Sequence, residues 1–421
     1  MGWPEEPVPR VPTARSAGLR QECSLICDWL IVGGGIHGVH IAARLLSDAG
    51  VAPEQLLIVD PGERLLERWR DCTQITGMRH LRSPSVHHLD LDPWALQRFA
   101  GKKKNRKRGL FAPPYDRPAL KLFNAHCDRV ISDLQLDDLH LRARVVDLRL
   151  DCDSVKATLS TGEEVEALHV VLALGAAEHT ERPHWAPQGD PRVQHIFEPG
   201  FDGWPTKRET VAVVGGGISA GQVAIRLSKE GHDVHLVSRH SLRKHQFDSD
   251  PGWLGPKFME SFDRERDVDR RRELITVARH RGSVPEDVAR NLRRAIKAEK
   301  VNWHEDEVAH LDPEDTSLKL HLRSGGVFQV ERVLLATGFR PSRPGGSLID
   351  NLAGAASLPC ASCGYPIVDK ALRWHPRVYV SGPLAELELG PAARNIAGAR
   401  RAAERMVQAA RGNMESFAPR P

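Results

Sequence analysis

The chain has 421 residues, more than one hydrophobic core usually serves, so we expect two domains or one domain inserted into another. Its 59 Lys and Arg nearly balance its 55 Asp and Glu, and a formal charge of +4 excludes the strongly basic composition of a typical nucleic-acid-binding protein. No apolar run approaches the roughly 18 residues of a membrane span, and no signal peptide is evident. We expect a cytoplasmic protein with a flexible, proline-rich arm at residues 1–23.

Residues 31–40 read IVGGGIHGVH, an apolar strand that leads directly into Gly33, Gly35 and Gly38 and then into a helix. In this spacing the first glycine permits a tight turn, the second lets a phosphate approach the backbone, and the third lets helix and strand pack closely. About twenty residues further on, a second strand ends in Asp60, where an acid binds a ribose hydroxyl. The pattern predicts the pyrophosphate site of a bound dinucleotide.

The segment that follows, residues 61–90, is too polar and too rich in Arg, Ser and Pro for a buried helix. We expect it to line a surface or a site. Trp69 and Met78 are among its apolar exceptions, and they either lie beside a bound ring or anchor a loop. The basic run at residues 101–109 (GKKKNRKRG) is typical of a solvated loop, with a localisation signal or an anion-binding patch as alternatives.

Regular elements then follow in order. Apolar positions at spacings of three and four predict a helix over residues 117–136. Alternating segments between residues 141 and 171 predict an antiparallel meander, which ends in a buried strand at residues 169–175. Residues 183–205, dense in Pro, Gly and Trp, are expected to form a linker.

The opening pattern returns after this linker. Residues 211–214 form an apolar strand that leads into Gly215, Gly217 and Ala220, and a helix follows. The same physical reasons apply to this second turn, with alanine at the helix-packing position. The sequence therefore predicts two dinucleotide sites.

The strand after the second turn, residues 233–237, ends without an acid and continues into Ser238 and Arg239. A carboxylate at this position would repel a 2′-phosphate, whereas an arginine attracts it. We therefore predict a preference for NADPH over NADH; surface arginines that happen to follow a strand are the alternative.

The C-terminal half is predicted to contain a helical insertion at residues 247–300 and a resumed meander from residue 301. A buried strand at residues 332–339 then ends in Ala-Thr-Gly. A last strand at 378–381 precedes Gly382 and a helix that ends at residue 410. Its N-terminal N–H groups could bind part of a cofactor.

The seven cysteines are scattered and odd in number, unlike a secreted disulfide framework. Only Cys360 and Cys363 form a Cys-x-x-Cys pair, which is either a turn, a redox pair or half of a zinc site. Zinc needs two more ligands, and no second pair with suitable spacing is visible nearby. No metal site and no catalytic acid, base or nucleophile is predicted.

Taken together, these motifs resemble the two-dinucleotide-domain flavoproteins. Within that group the GGGISAG run at 215–221 and the ATGF run at 336–339 are similar to the NADPH-dependent flavin monooxygenases. Three further features resemble the enzymes that hydroxylate the side-chain amines of ornithine and lysine: the segment 69–84, the insertion that opens near residue 247, and His195.

The resemblance implies an α/β fold with an FAD-binding Rossmann-like domain and an inserted NAD(P)-binding Rossmann-like domain. Expected boundaries are 24–207 and 340–421 for the FAD-binding domain and 208–339 for the NADPH-binding domain. The residues expected to bind the two cofactors are Gly33, Gly35, Ile36, His37, Gly38, Asp60, Pro61, Trp69, Met78, Gly175, Gly382 and Asn395 for FAD, and Gly215, Gly217, Ile218, Ser219, Ala220, Arg239, Thr337 and Gly338 for NADPH.

The implied activity is a monooxygenase that acts through a C4a-hydroperoxyflavin on a small nucleophilic substrate, an amine being one class. Its partners would be that substrate and oxygen, with no nucleic acid. Two departures stand out. Pro383 replaces the aspartate that such flavoproteins carry after Gly382, and the Thr-Asn-Tyr run of the amine hydroxylases has no match. A pyridine-nucleotide disulfide reductase and a flavin-fold binding module without catalysis are the competing interpretations.

Overall fold

The computed structural model describes residues 25–102, 109–176 and 179–412. The predicted N-terminal arm and most of the basic run at 101–109 lie outside the described residues. The helices are α1 Ile36–Ser47, α2 Glu67–Thr76, α3 Ala95–Phe99, α4 Leu120–Asp133, α5 Ile218–Glu230, α6 Pro256–Arg264, α7 Val268–Ala278, α8 Glu286–Lys297, α9 Gly346–Ala355, α10 Glu386–Leu389 and α11 Ile396–Ala410.

The strands are β1 Leu25–Val32, β2 Leu56–Asp60, β3 Phe111–Ala112, β4 Arg117–Pro118, β5 His140–Arg142, β6 Val145–Leu150, β7 Val155–Leu159, β8 Glu164–Leu172, β9 Val193–His195, β10 Thr210–Val214, β11 Asp233–Ser238, β12 Arg243–Lys244, β13 Ser283–Val284, β14 Val301–Glu305, β15 Val308–Pro313, β16 Leu318–Leu322, β17 Val327–Val330, β18 Arg332–Leu335, β19 Arg373–His375 and β20 Val378–Val380.

The first sheet has the order β19-β20-β8-β1-β2-β5; β7 also pairs with β8, in antiparallel orientation, and β6 pairs antiparallel with β7. Its central strand β1 pairs in parallel with β2 and β8, and its residues from Trp29 to Val32 are buried. Helices α1 and α11 pack against each other beside this sheet. The carboxyl end of β1 lies between two parallel neighbours, which is where open α/β sheets bind ligands.

The second sheet is entirely parallel, in the order β14-β11-β10-β18-β9. Helices α5 and α8 pack together beside it and share a hydrophobic core with its inner residues. A three-stranded antiparallel sheet, β15-β16-β17, packs its buried leucines and valines on the opposite face. The second glycine turn thus follows a central strand, as the first one does.

Arginine side chains connect the two halves of the molecule. Arg82 donates to the carbonyls of Gln246 and His245 at 2.7 and 2.8 Å and to Ser283 Oγ at 2.8 Å. Arg226, on α5, donates to the carbonyls at the end of α2. These contacts fix the second nucleotide domain against the segment that follows β2.

The polar segment 61–90 contains helix α2, which buries only Thr73 and Thr76, so it is not a buried helix, as its polarity predicts. Two element predictions were wrong in part. The expected linker 183–205 contributes β9 to the second sheet. The strand at residue 301 is β14, a parallel strand of the second sheet, rather than the start of the meander.

The remaining predicted elements are present, with boundaries that differ by a few residues. The helix expected over 117–136 is α4, and the meander is β6-β7-β8. The insertion contains the three helices α6, α7 and α8. Among the described residues, no helix has the length and apolarity needed to cross a bilayer.

Candidate cofactor sites

The first glycine turn leaves no room for side chains at two of its three glycines. Gly33 has φ of +115°, and a Cβ there would lie 2.7 Å from the carbonyl oxygen of Ala173. A Cβ on Gly38 would lie 1.8 Å from the carbonyl oxygen of Gly33. At Gly35, however, a Cβ would meet nothing within 4 Å. The first and third glycines therefore serve the protein's own packing, and Gly35 faces open space.

Helix α1 begins beside that open space without a side-chain cap. The N–H groups of its first turn, which include those of Ile36 and His37, have no intrahelical acceptor. A helix N-terminus of this kind attracts an anion through its free N–H groups and its dipole. Open space next to uncapped N–H groups fits the pyrophosphate of a dinucleotide.

Asp60, at the end of β2, is held by the backbone of the turn. Gly34 N–H donates to Oδ2 at 2.7 Å, and Gly62 N–H donates to Oδ1 at 2.8 Å across the exposed Pro61. Each carboxylate oxygen keeps further acceptor capacity, because an ionised carboxylate has about four lone-pair positions. The carboxylate is thus fixed next to the turn and can accept hydrogen bonds from a ribose.

His37 joins the first turn to the C-terminal segment. Its Nδ1 lies 2.8 Å from Ser381 Oγ, its ring faces the backbone of Arg394 and Asn395, and it lies against Gly382. Burial lowers the pKa of His37 to about 4, so the ring is neutral at pH 7. Among the described residues its buried Nε2 has no partner at strict hydrogen-bond geometry, although the backbone carbonyls of Arg394 and Asn395 lie near enough to the ring to oppose the lowering of its pKa. This nitrogen is a candidate donor to a bound phosphate or ribityl oxygen.

Other residues predicted for this site are placed less directly. Trp69 donates from Nε1 to Asn124 Oδ1 at 3.1 Å and packs on Phe123, so it anchors α2 to α4. Met78 packs against the first core, and Gly175 is exposed just beyond β8. Asn395 precedes α11 and donates to Asp248 Oδ1 at 3.1 Å.

The second glycine turn repeats the geometry of the first. Gly215 has φ of +150°, and a Cβ there would lie 2.3 Å from the carbonyl oxygen of Ala336. A Cβ on Gly217 would make only an ordinary 3.5 Å contact with Gly282 Cα. Ala220 is fully buried against the sheet. Helix α5, which starts with Ile218 and Ser219, also lacks a side-chain cap.

Thr337 and Gly338, which follow β18, are hydrogen-bonded to Glu181, in the segment between β8 and β9. Thr337 Oγ1 donates to the carbonyl of Glu181, and Glu181 N–H donates to the carbonyl of Gly338 at 2.9 Å. The preceding residue, Ala336, donates to the carbonyl of Val214 at 2.8 Å, and its own carbonyl oxygen lies next to Gly215. Thr337 and Gly338 therefore follow directly from a residue that contacts the second turn.

Arg239 follows β11 and is exposed. Within the described ranges it forms no hydrogen bond or ion pair, so its guanidinium is available to a ligand. His240 packs its ring where a Cβ on Gly216 would lie, at 2.7 Å. Arg239 is thus the neighbour in sequence of a residue whose ring contacts the glycine turn, and its contact with a 2′-phosphate stays a prediction.

Sequence reasoning missed a cluster of buried charges on the C-terminal side of the first site. Glu386, 0 % exposed, pairs with Arg272 of α7 and with Arg394, whose Nε lies 2.7 Å from Oε2. Glu388, 3 % exposed, lies 3.1 Å from Arg271. One feature of the sequence could have indicated this cluster: in the run Glu-Leu-Glu-Leu at residues 386–389, acids stand inside an apolar stretch, and buried acids need charged partners.

Several buried histidines make stability pH-dependent. Burial lowers the pKa of His37, His87, His88 and His195 to about 4 and that of His40 to about 3. The unfolded chain binds these protons near pH 6.5 and the folded chain does not. Stability is therefore expected to fall as pH decreases from about 6.5 towards 4, by at most about 1.4 kcal/mol per pH unit for each group.

Urea unfolding at pH 7.5, 6.5 and 5.5, with FAD at one fixed concentration, measures this effect. Most carboxylates titrate below that range, so a fall in the urea midpoint between pH 6.5 and 5.5 reports chiefly on histidines. An unchanged midpoint across the three pH values would contradict it.

Two family models match parts of the chain. A model described as FAD-NAD(P)-binding matches residues 30–177, and one described as pyridine nucleotide-disulphide oxidoreductase matches residues 268–407. The first match contains the first glycine turn and Asp60. No curated protein sequence matches the chain.

Solved structures share the fold across nearly the whole chain. Ornithine hydroxylase (PvdA) from Pseudomonas aeruginosa matches with a TM-score of 0.72 and 18% identity, over 93% of this chain and 100% of that one. The cadaverine monooxygenase DfoA from Erwinia amylovora, solved with FAD, gives 0.70 and 16% over 94% and 98%. Bacillithiol disulfide reductase Bdr (YpdA) from Staphylococcus aureus gives 0.62 and 15% over 93% and 99%.

At these identities the structural likeness establishes the fold. The chain has the two-dinucleotide-domain architecture, with a Rossmann-like FAD-binding sheet and a second, NAD(P)-binding Rossmann-like sheet. Fold class and flavoprotein resemblance, both expected from the sequence, are confirmed.

Proposed function

We propose that the protein is an FAD-dependent, NADPH-using monooxygenase that acts on a small nucleophilic substrate, with amines as the first class to test. The observation that carries this proposal is the repeated turn: two uncapped helix starts, each beside a glycine whose missing side chain leaves room for a phosphate. The amine-hydroxylating neighbours, with TM-scores of 0.70 and 0.72, support the choice of reaction.

FAD, when bound, would supply the redox chemistry: it accepts a hydride from NADPH and passes electrons to oxygen. The residues suited to hold it are those of the first turn, with Asp60 for a ribose and the neutral His37 ring for a phosphate or ribityl oxygen. Pro383 offers no side-chain donor or acceptor. His37, tied to Ser381, therefore takes the place of the missing aspartate as the polar side chain of this segment.

The residues suited to hold NADPH are those of the second turn. Gly217 leaves space for its pyrophosphate, and Arg239 presents an uncommitted cation for the 2′-phosphate. In this proposal the protein binds and orients the two cofactors and shields their reacting rings from water. The chain therefore does not need to supply a catalytic acid or base. This accounts for the lack of a catalytic motif in the sequence.

Replacing Arg239 with Gln is expected to raise the KM for NADPH by about 10- to 100-fold, because a charge-assisted hydrogen bond to phosphate is lost. The KM for NADH, which lacks that phosphate, should change little. Steady-state NADPH and NADH oxidation measures both values. Arg208→Gln is the matched control, since Arg208 is also exposed but lies beside Asp233, at the opposite end of β11.

If Arg239→Gln changed the KM values for NADPH and NADH equally, Arg239 would not contact the 2′-phosphate. If neither value changed, the cofactor preference would depend on other residues, and the assignment would be wrong.

The disulfide-reductase alternative predicts a reactive cysteine pair beside the flavin. Cys360 and Cys363 instead lie in an exposed turn beyond α9, and desolvation raises the pKa of Cys360. Cys72, on α2, is a single half-buried thiol whose pKa is also raised by desolvation. Raised pKa values disfavour the thiolates that attack disulfides. The cysteines therefore support the monooxygenase proposal.

The experiment that separates these functions is oxygen uptake with NADPH and FAD, in the presence of ornithine, lysine, cadaverine or a low-molecular-weight disulfide. Amine-dependent oxygen uptake with hydroxylated product supports the proposal. Disulfide-dependent NADPH oxidation without oxygen uptake would replace it with a reductase. We also propose a cytoplasmic location, since all six described cysteines are free.

A further inference from the structure

A cluster of two histidines and one aspartate lies on the outer face of the sheet β15-β16-β17. His310 and Asp312 belong to β15, and His321 of β16 is directly opposite His310 in the antiparallel register. Their ligand atoms all lie within 4.8 Å of one another. The inner face of the sheet packs on the second nucleotide-binding sheet, so the cluster lies on the back of that domain.

A register irregularity brings the three side chains to one face. Val308 and Leu311 both pack inward although they are three residues apart, and the pairing shifts between Val308 and His310. A bulge of this kind redirects the side chains that follow it. It turns His310 and Asp312 outward, to the side on which His321 lies.

The two distances from the Asp312 carboxylate to the histidines are near those between ligands of one metal ion. Asp312 Oδ2 lies 2.9 Å from His321 Nε2 and 3.8 Å from His310 Nε2. Ligands about 2.0–2.1 Å from a tetrahedral zinc ion are separated by about 3.3 Å, which falls between these two values. The imidazole rings are stacked with their centroids 4.0 Å apart and their planes at 14°, so one of the two rings must rotate for both to direct a lone pair to one ion.

We propose that His310, Asp312 and His321 bind one divalent transition-metal ion, with zinc as the ion that this ligand set fits. Two neutral imidazoles and a carboxylate suit zinc and copper(II) better than magnesium or calcium, which prefer oxygen ligands. His321 is 22% exposed at its side chain, whereas His310 and Asp312 are 57% and 55% exposed, so water completes the coordination. The ion ties β15 to β16.

Spacing along the sequence did not indicate this site, because only His310 and Asp312 are close in the chain. His321 enters through the hairpin between β15 and β16. The site is independent of the proposed oxidoreductase function, since it shares no residue with either glycine turn.

Zinc binding to tag-free, full-length protein, measured by calorimetry and by thermal melting with and without zinc, tests the proposal. We expect one equivalent bound by the wild type and a higher melting temperature with zinc. His321→Asn and Asp312→Asn should each weaken binding by about tenfold or more, since each removes one of three ligands. All three side chains are at least partly exposed, so the variants are expected to fold.

The control is His304→Asn. His304 stacks on His235 in the second sheet at 5.2 Å, but no group of three ligands forms there among the described residues. It should bind zinc as the wild type does. Electron paramagnetic resonance of the copper(II)-loaded protein should show two nitrogen ligands in the wild type and one in His321→Asn. Equal zinc binding by all four proteins, or none by the wild type, would overturn the proposal and leave an ordinary surface ion pair.

Discussion

Replacing Gly35 with Ala is expected to produce a folded protein that has lost tight FAD binding. The added methyl group meets no protein atom within 4 Å, so folding should be unaffected. It would occupy the space through which a pyrophosphate approaches the uncapped N–H groups of α1. Loss of one or two charge-assisted hydrogen bonds corresponds to a decrease in FAD affinity on the order of 100-fold.

Titration of the FAD-free protein with FAD, followed by flavin fluorescence, measures this affinity. Gly354→Ala is the matched control, because Gly354 lies in α9 and a Cβ added there would also meet nothing within 4 Å. The FAD affinity of this variant should equal that of the wild type. Gly38→Ala should instead impair folding, because its Cβ would lie 1.8 Å from a backbone oxygen. Wild-type FAD affinity in Gly35→Ala would contradict the assignment of this turn.

Replacing Glu386 with Gln is expected to destabilise the protein by about 3–5 kcal/mol. Glu386 is 0 % exposed and is the shared partner of Arg272, on the helical insertion, and Arg394, just before α11. A neutral glutamine leaves two partly buried guanidinium groups without their counter-charge. The Arg272 guanidinium also lies 4.4 Å from the Tyr365 ring, so the loss would extend across the contact between insertion and C-terminal segment.

Urea unfolding at pH 7.5 with fixed FAD measures this change. Glu260→Gln is the control, because Glu260 forms an exposed ion pair with Arg264 four residues along α6 and should cost less than about 1 kcal/mol. If Glu386→Gln and Glu260→Gln shifted the urea midpoint equally, the buried cluster would not hold the insertion in place.

Local patterns predicted the parts of the fold that depend on neighbouring residues. Both glycine turns, Asp60 at the end of β2 and the antiparallel meander follow from spacing and periodicity, and each is present. Trp69 donates to Asn124 and so anchors α2 to α4, while its predicted contact with a bound ring stays a prediction. The preference for NADPH stays a prediction, which Arg239→Gln tests.

Features that depend on distant residues could not be predicted. Strand β9 was interpreted as part of a linker because residues 183–205 are dense in Pro, Gly and Trp, and only pairing with β18 makes its three residues a strand. His37 stands inside the first motif, yet its contacts with Ser381 and the start of α11 come from residues more than 340 positions away. Glu386 likewise finds Arg272 only through the docking of α7.

The measurement that tests the central proposal most directly is anaerobic reduction followed by air. Protein reconstituted with FAD should lose its visible flavin absorbance when NADPH is added without oxygen, and should regain it in air with consumption of one oxygen per NADPH and hydroxylation of an added amine. Reduction by NADPH with hydrogen peroxide as the sole product for every amine tested would contradict the monooxygenase assignment. Failure to retain FAD at all would contradict the assignment of the first glycine turn as the FAD site and, with it, the proposed enzymatic function.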